Sequence, residues 1–267
     1  MIFRIDRRHN NQEIRVPIET RKPSRIVVKV RHPKKPSTYY FDTAPVISGQ
    51  DMFRIKIPKM PPSVILEVYN EENGNLQFDP TFRIGNIKSV PITQAFSITK
   101  VMDANVASFM NFSDDFAENA ALISAENSIY RSPDGKFRID YKDVIRDDSG
   151  NPLKTPARVN SKTKVIEISK KYYIRLTVPA RKWTNYHEFA HVWLNKNPSD
   201  ELEADKNAIM IYLGTGNPVI EAYNGIYNIF KNTPSNQNKA RYEALDKYIK
   251  NFGSIMNRGI NQKQPQR

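Results

Sequence analysis

The stretch Tyr186-His187-Glu188-Phe189-Ala190-His191-Val192-Trp193 decides how the rest of the chain is read. His187 and His191 stand four residues apart, so on a helix they project from one face, a turn apart, where both can hold one tetrahedral ion. Glu188 lies between them, where a general base for a water on that ion belongs. The chain has only 4 histidines, and half of them fall in this stretch.

Ten residues after His191 comes Glu201-Leu202-Glu203-Ala204-Asp205, in which Glu201 and Asp205 are again four apart. The intervening Asn195-Lys196-Asn197-Pro198-Ser199 can turn the chain back and set two helices antiparallel. In such a pair, residues whose numbers have a constant sum lie at one height. His191 with Glu201 and His187 with Asp205 have the same sum, so both acids can face both histidines. Glu201 is therefore assigned as the third metal ligand and Asp205 as the acid that orients His187. Glu203 points elsewhere. Accidental charge pairing in a helical hairpin would explain the spacing but not the motif.

His187-Glu188-x-x-His191 followed by Glu201-x-x-Ala204-Asp205 resembles the gluzincin branch of the zincin metallopeptidases, whose two motif helices together hold zinc. It does not resemble a metzincin, since Leu194 stands in place of the glycine and Asn197 in place of the third histidine. The resemblance covers about residues 105–250. It implies zinc on His187, His191 and Glu201, Glu188 as the catalytic base, and a peptide or protein substrate. It also implies that the strand Lys164–Ser169 is the edge along which a substrate aligns. Pro234 followed by Arg241 and Leu245 is similar to the ending of membrane-type gluzincins, which would bring Arg241 toward the site. Tyr212, Tyr223 and Arg241 are the candidates for support of a developing oxyanion.

Outward from the motif, helical patterns cover Thr184–Asn195, Asp200–Leu213, Pro218–Lys231 and Ser235–Phe252, with Gly214 and Gly216 as stops. Asp103–Ser124 has a helical period that the polar run Asn111–Asp114 is expected to break. Strands are expected over Phe137–Ile145 and Lys164–Ser169. Before residue 92 the texture differs: 10 of the 18 prolines fall there and leave no room for a long helix. Short β-branched runs occupy Glu13–Ile18, Arg25–Arg31, Met52–Ile57, Ser63–Tyr69 and Phe82–Ile87, and Phe53-Arg54-Ile55-Lys56-Ile57 alternates as a half-buried strand does. The prolines belong at strand edges and turns. The expected fold class is α+β: a β-sandwich-like domain over residues 1–95, a mostly helical zincin-like domain with a small sheet over 96–252, and a polar tail over 253–267.

Composition narrows the function classes. The 267-residue chain has no cysteine, which excludes disulfide scaffolds, Cys-ligated zinc and thiol catalysis. Its formal charge is +13, and residues 1–60 hold 14 Lys/Arg against 5 Asp/Glu. That bias suits attachment to an acidic partner, a protein partner in an assembly above all; nucleic acid is allowed by the charge but supported by no motif. The longest apolar charge-free stretch, Asn207–Ile220, is 14 residues, short of the ~18 that a membrane span needs. No signal-peptide pattern opens the chain, so it is expected to be soluble, in the cytoplasm or in a virion. Two functions follow: a zinc peptidase, or a structural subunit of a phage-like particle in which the zincin-like domain is a building block. Ile outnumbers Leu 28 to 9, a bias toward AT-rich coding that fits the second.

Overall fold

The computed structural model describes residues 1–35, 37–74, 79–92, 104–125, 128–160, 162–232 and 235–252. Its first half is organised by one long strand, β2 (Gln12–Arg31), flanked by β1 (Ile2–Asp6), β3 (Tyr39–Thr43), β4 (Val46–Ile57), β5 (Ser63–Asn70), β6 (Phe82–Ile84) and β7 (Lys88–Pro91). The first half of β2 pairs with β4 on one side and with β7 and then β6 on the other. Its second half pairs with β3 and β5, and β1 lies outside β5. The result is an antiparallel seven-stranded sheet in two parts that share β2, the sandwich-like arrangement expected of this half, with the sheet bending where β2 passes from one part to the other.

The sequence explains the bend. Ile14, Val16, Ile18, Ile26, Val28 and Val30 are all even-numbered and all buried, so β2 keeps one face inward along its length. Its register shifts between Thr20 and Ser24, where Pro23 supplies no donor. The two runs expected as separate strands, Glu13–Ile18 and Arg25–Arg31, are thus one strand. Pro17 also lies inside it, opposite the interruption between β6 and β7, where Gly85 N–H donates to the Pro17 carbonyl at 2.9 Å.

The second half begins with α1 (Ala104–Asn119). A mixed sheet follows, built from β8 (Ser128–Arg131), β9 (Arg138–Lys142), β10 (Ala157–Asn160) and β11 (Val165–Ser169), in the order β10-β11-β9-β8 with β9 and β11 parallel. Then come α2 (Lys170–Tyr173), α3 (Val178–Trp193), α4 (Glu201–Gly214), α5 (Val219–Asn232) and α6 (Asn236–Lys250). None of the described helices is long and apolar enough to cross a membrane. The expected tail, residues 253–267, and Pro234 lie outside the described residues.

Helix α3 is the axis of this half, with all but three of its 16 residues buried. It starts at Val178, capped by Thr177, well before the expected Thr184. The charged residues of this first part, Arg181 and Lys182, are internal. Lys182 Nζ pairs with Asp114 of α1 at 3.4 Å, Tyr186 donates to the same carboxylate at 2.6 Å, and Asn185 donates to the Ser113 carbonyl at 3.3 Å. The expected break of α1 at Asn111–Asp114 is therefore corrected. The helix runs unbroken, because its polar residues are half of a buried network that α3 completes. Arg181 donates to the carbonyls of Ala117 (3.0 Å), Ile174 (2.8 Å) and Tyr173 (3.2 Å), and across to Ser37 of the first half. Val178 packs into the apolar core of the bent sheet.

Candidate metal centre

A tight turn sets the register of α3 against α4. Asp200 caps α4 by accepting from the Glu203 N–H at 2.9 Å, and the Glu203 carboxylate reaches back to the N–H of Lys196 at 3.1 Å. Glu203 thus fastens the turn instead of entering the site. Asn207 of α4 donates to Asn195 at 3.0 Å and closes the hairpin.

This register brings the expected residues together. The Nε2 atoms of His187 and His191 are 3.0 Å apart. Glu201 places one oxygen 3.4 Å from His187 Nε2 and the other 3.5 Å from His191 Nε2. His187, His191 and Glu201 form a group that could hold a metal ion. The other ring nitrogens are held from behind. His187 Nδ1 lies 2.9 Å from Asp205, which is fully buried, and His191 Nδ1 lies 2.7 Å from the Pro198 carbonyl. Both imidazoles therefore keep Nε2 for the common point. Arg241 of α6 sits 3.0 Å from Glu201 and 2.9 Å from Asp205, tying the two acids to a third helix.

The charges of the site are coupled to one another. Burial disfavours a charged His187, but hydrogen bonds to Asp205 and Glu201 outweigh it and push the imidazole up to about 10. The same His187 contact, acting against burial and joined by the Arg241 charge, holds Glu201 down at about 2. Burial and the neighbouring His187 charge push His191 below the usual imidazole range. Burial lifts Glu188 to about 7, against the pull of His187 and a backbone hydrogen bond from Val159. Glu188, Glu201 and Asp205 all surround His187, an acidic setting that suits a cation.

His187, Glu188, His191, Glu201 and Arg241 line one cleft of about 410 Å³. Its opposite wall is Thr155–Val159, which includes the first residues of β10. The expected edge strand, Lys164–Ser169, is corrected: β11 is internal, between β10 and β9, and β10 is the edge that faces the cleft. The structure also separates the three oxyanion candidates. Arg241 is in the cleft, whereas the Tyr212 hydroxyl donates to the Pro218 carbonyl and the Tyr223 hydroxyl to Asp246, and neither residue lines it. Sequence reading missed β10 and the Pro198 carbonyl. The short alternation Ala157-Arg158-Val159 before a polar turn was the available signal for the strand; the carbonyl had none. Family models, curated proteins and solved structures were all compared with the chain, and none matches it.

Proposed function

We propose that this chain is a zinc-dependent peptidase of the gluzincin type. The observation that carries the reading is that both histidines direct Nε2 to one point shared with Glu201, while the Pro198 carbonyl meets His191 Nδ1 and the Asp205 carboxylate lies 2.9 Å from His187 Nδ1. A tetrahedral ion with bonds of about 2.0–2.1 Å has ligand-to-ligand edges of about 3.3–3.4 Å. The spacings of 3.0, 3.4 and 3.5 Å fit that figure with only small adjustment. Zinc held there would supply a Lewis acid that polarises a carbonyl and makes water acidic near neutral pH.

The chain's own residues supply the rest. Glu188, lifted to about 7, can take a proton from water and give it to the leaving amine at neutral pH. Asp205 fixes the His187 ring, and Arg241 balances the acids around it. The substrate lies along β10. Pro156 and Asn160 direct their carbonyls to the β11 side, where Ser169 and Lys164 donate to them. Residues alternate along an antiparallel strand, so Ala157 and Val159 turn their backbones the other way, toward the cleft. Thr155 already donates to the Ala157 carbonyl, which leaves the Ala157 N–H and the Val159 carbonyl for an extended peptide.

The purified protein should hold about one zinc per chain by elemental analysis. Glu188→Gln should keep the metal and lower peptide hydrolysis about 10²–10⁴-fold. His187→Ala or His191→Ala retaining full zinc would overturn the site, and an undiminished Glu188→Gln would overturn the base. The second reading, a subunit of a phage-like particle with little proteolysis, is favoured by the basic outer face of the N-terminal sheet. Assembly that persists in Glu188→Gln but is abolished when that face is charge-reversed would support it.

A further inference from the structure

The outward face of the bent sheet carries an arrangement that no fold requirement explains. Arg15 of β2 lies directly opposite Arg54 of β4 on one side and Lys88 of β7 on the other. One row nearer the start of β2, Glu13 lies opposite Lys56. Three strands thus align three cations in one cross-strand row, at the strand spacing of about 4.8 Å. Like charges directly opposite one another destabilise a sheet. Glu13 pairs with Arg15 at 2.7 Å, but its side chain is only 8% exposed and is covered from outside. Among the described residues Arg54, Lys56 and Lys88 make no ion pair, and Arg54 and Lys88 are exposed.

Next to this row, on the other side from Glu13, the surface sinks. Pro17 of β2 lies opposite Met52 of β4, and Gly85 fills the position where β6 and β7 are interrupted. These residues floor a shallow depression of about 740 Å³, and Met52 is 42% exposed. A Cβ on Gly85 would stand 3.2 Å from the Pro17 ring, so the floor there is as shallow as backbone allows. Pro17, Ile18, Met52 and Ile84 give the depression an apolar part, bordered by Gln50, Asp51 and the ion pair of Glu19 with Arg83, and it lies two residues along the strands from the cation row, about 7 Å.

We infer that this face binds an acidic segment of a partner protein in extended form along the strands, one carboxylate set among Arg15, Arg54 and Lys88 and an apolar side chain two residues away seated against Pro17, Met52 and Gly85. An extended peptide advances about 3.4 Å per residue, so the spacing of row and depression matches alternate side chains on one face of a strand. Phosphate backbones would satisfy the cations equally. A single-stranded nucleic acid, however, is bound by aromatic platforms beside the charge, and none of these outward positions carries an aromatic ring. The apolar floor has no use for a sugar–phosphate chain. The inference does not depend on peptidase activity, because the face belongs to the other half of the molecule.

The test is fluorescence anisotropy on the full chain, with a labelled peptide carrying three glutamates and a leucine two residues beyond them. Saturable binding is expected, weakened at least tenfold by Arg54→Glu with Lys88→Glu and weakened steadily by salt. Met52→Ser should weaken the leucine peptide severalfold and leave its serine analogue unchanged. The neutral pair Arg54→Gln with Lys88→Gln guards against misfolding. It should lose the peptide yet melt about 1–3 °C higher, since it relieves the opposed charges. Peptide binding that is indifferent to both double variants would overturn the inference. So would tighter binding of an oligothymidylate of equal charge, or a fall in melting temperature on neutralisation.

Discussion

The two halves of the molecule put their charges in opposite places. In the first, the interior is Ile, Val, Leu and Phe, and the ion pairs lie outside, as with Arg4 and Asp6, whose side chains are 70% and 75% exposed. Glu13 and Asp79 are its buried acids. The second half buries Asp114, Arg181, Lys182, Glu188, His191, Asp205 and Glu221. Exposed pairs contribute about 0–1 kcal/mol each, so the charges of the first half say more about partners than about folding. Buried charges are costly unless each is matched, and their main return is fixed geometry. The half that holds the candidate metal group is therefore the one whose interior is polar, and the network behind α3 braces the helix that bears His187 and Glu188.

The largest break in this contrast should come from Arg181. Arg181→Met would take a donor from four carbonyls, those of Ala117 and Tyr173 in buried contacts and those of Ile174 and Ser37 in part-buried ones, and the Ser37 contact links the halves. A loss of about 3–5 kcal/mol is expected in equilibrium urea unfolding. Arg54→Gln on the first half should stay within about 0.5 kcal/mol of the parent. If the two variants prove equally mild, buried charge is not what braces the second half.

A smaller effect sharpens the roles of three acids that lie within five residues. Glu201→Ala removes a proposed ligand and should largely abolish metal binding. Asp205→Ala releases the His187 ring and should weaken binding about 10–100-fold in competition with a chelator. Glu203→Ala touches only the turn, through the Lys196 and Asn197 N–H groups, and should leave affinity unchanged while costing about 1 kcal/mol of stability. Damage from Glu203→Ala alongside a silent Glu201→Ala would mean that α4 is rotated from the position described.

The metal group was legible because its information is local: a four-residue spacing on each of two helices and a turn short enough to fix their register. The α+β division was legible for the same reason, from proline density in one half and helical periods in the other. What escaped depended on distant residues. Arg181 and Lys182 fall outside the expected helix Thr184–Asn195, because their partners Ala117, Asp114 and Ser37 come to them from other elements. Asn111–Asp114 read as a helix break because a polar run has no helical period when its partners are elsewhere in the chain. The bend of β2 is likewise invisible locally, since its inner face keeps even numbering through the register shift and only pairing tells the two runs from one strand.

The smallest test concerns that misread run. Ser113 is fully buried in α1, and its hydroxyl has no hydrogen-bond partner among the described residues. A buried hydroxyl left unpaired costs free energy, and serine is a poorer helix former than alanine. Ser113→Ala should therefore raise stability, by about 0.5–1 kcal/mol in urea unfolding, with α1 intact by circular dichroism. Its carbonyl, which accepts from Asn185, is untouched by the change, so the contact between α1 and α3 survives. If α1 were broken at this point, the serine would be satisfying a turn and alanine would destabilise. The sign of a small number thus distinguishes a continuous helix carrying polar groups inward from the interrupted one its sequence suggests.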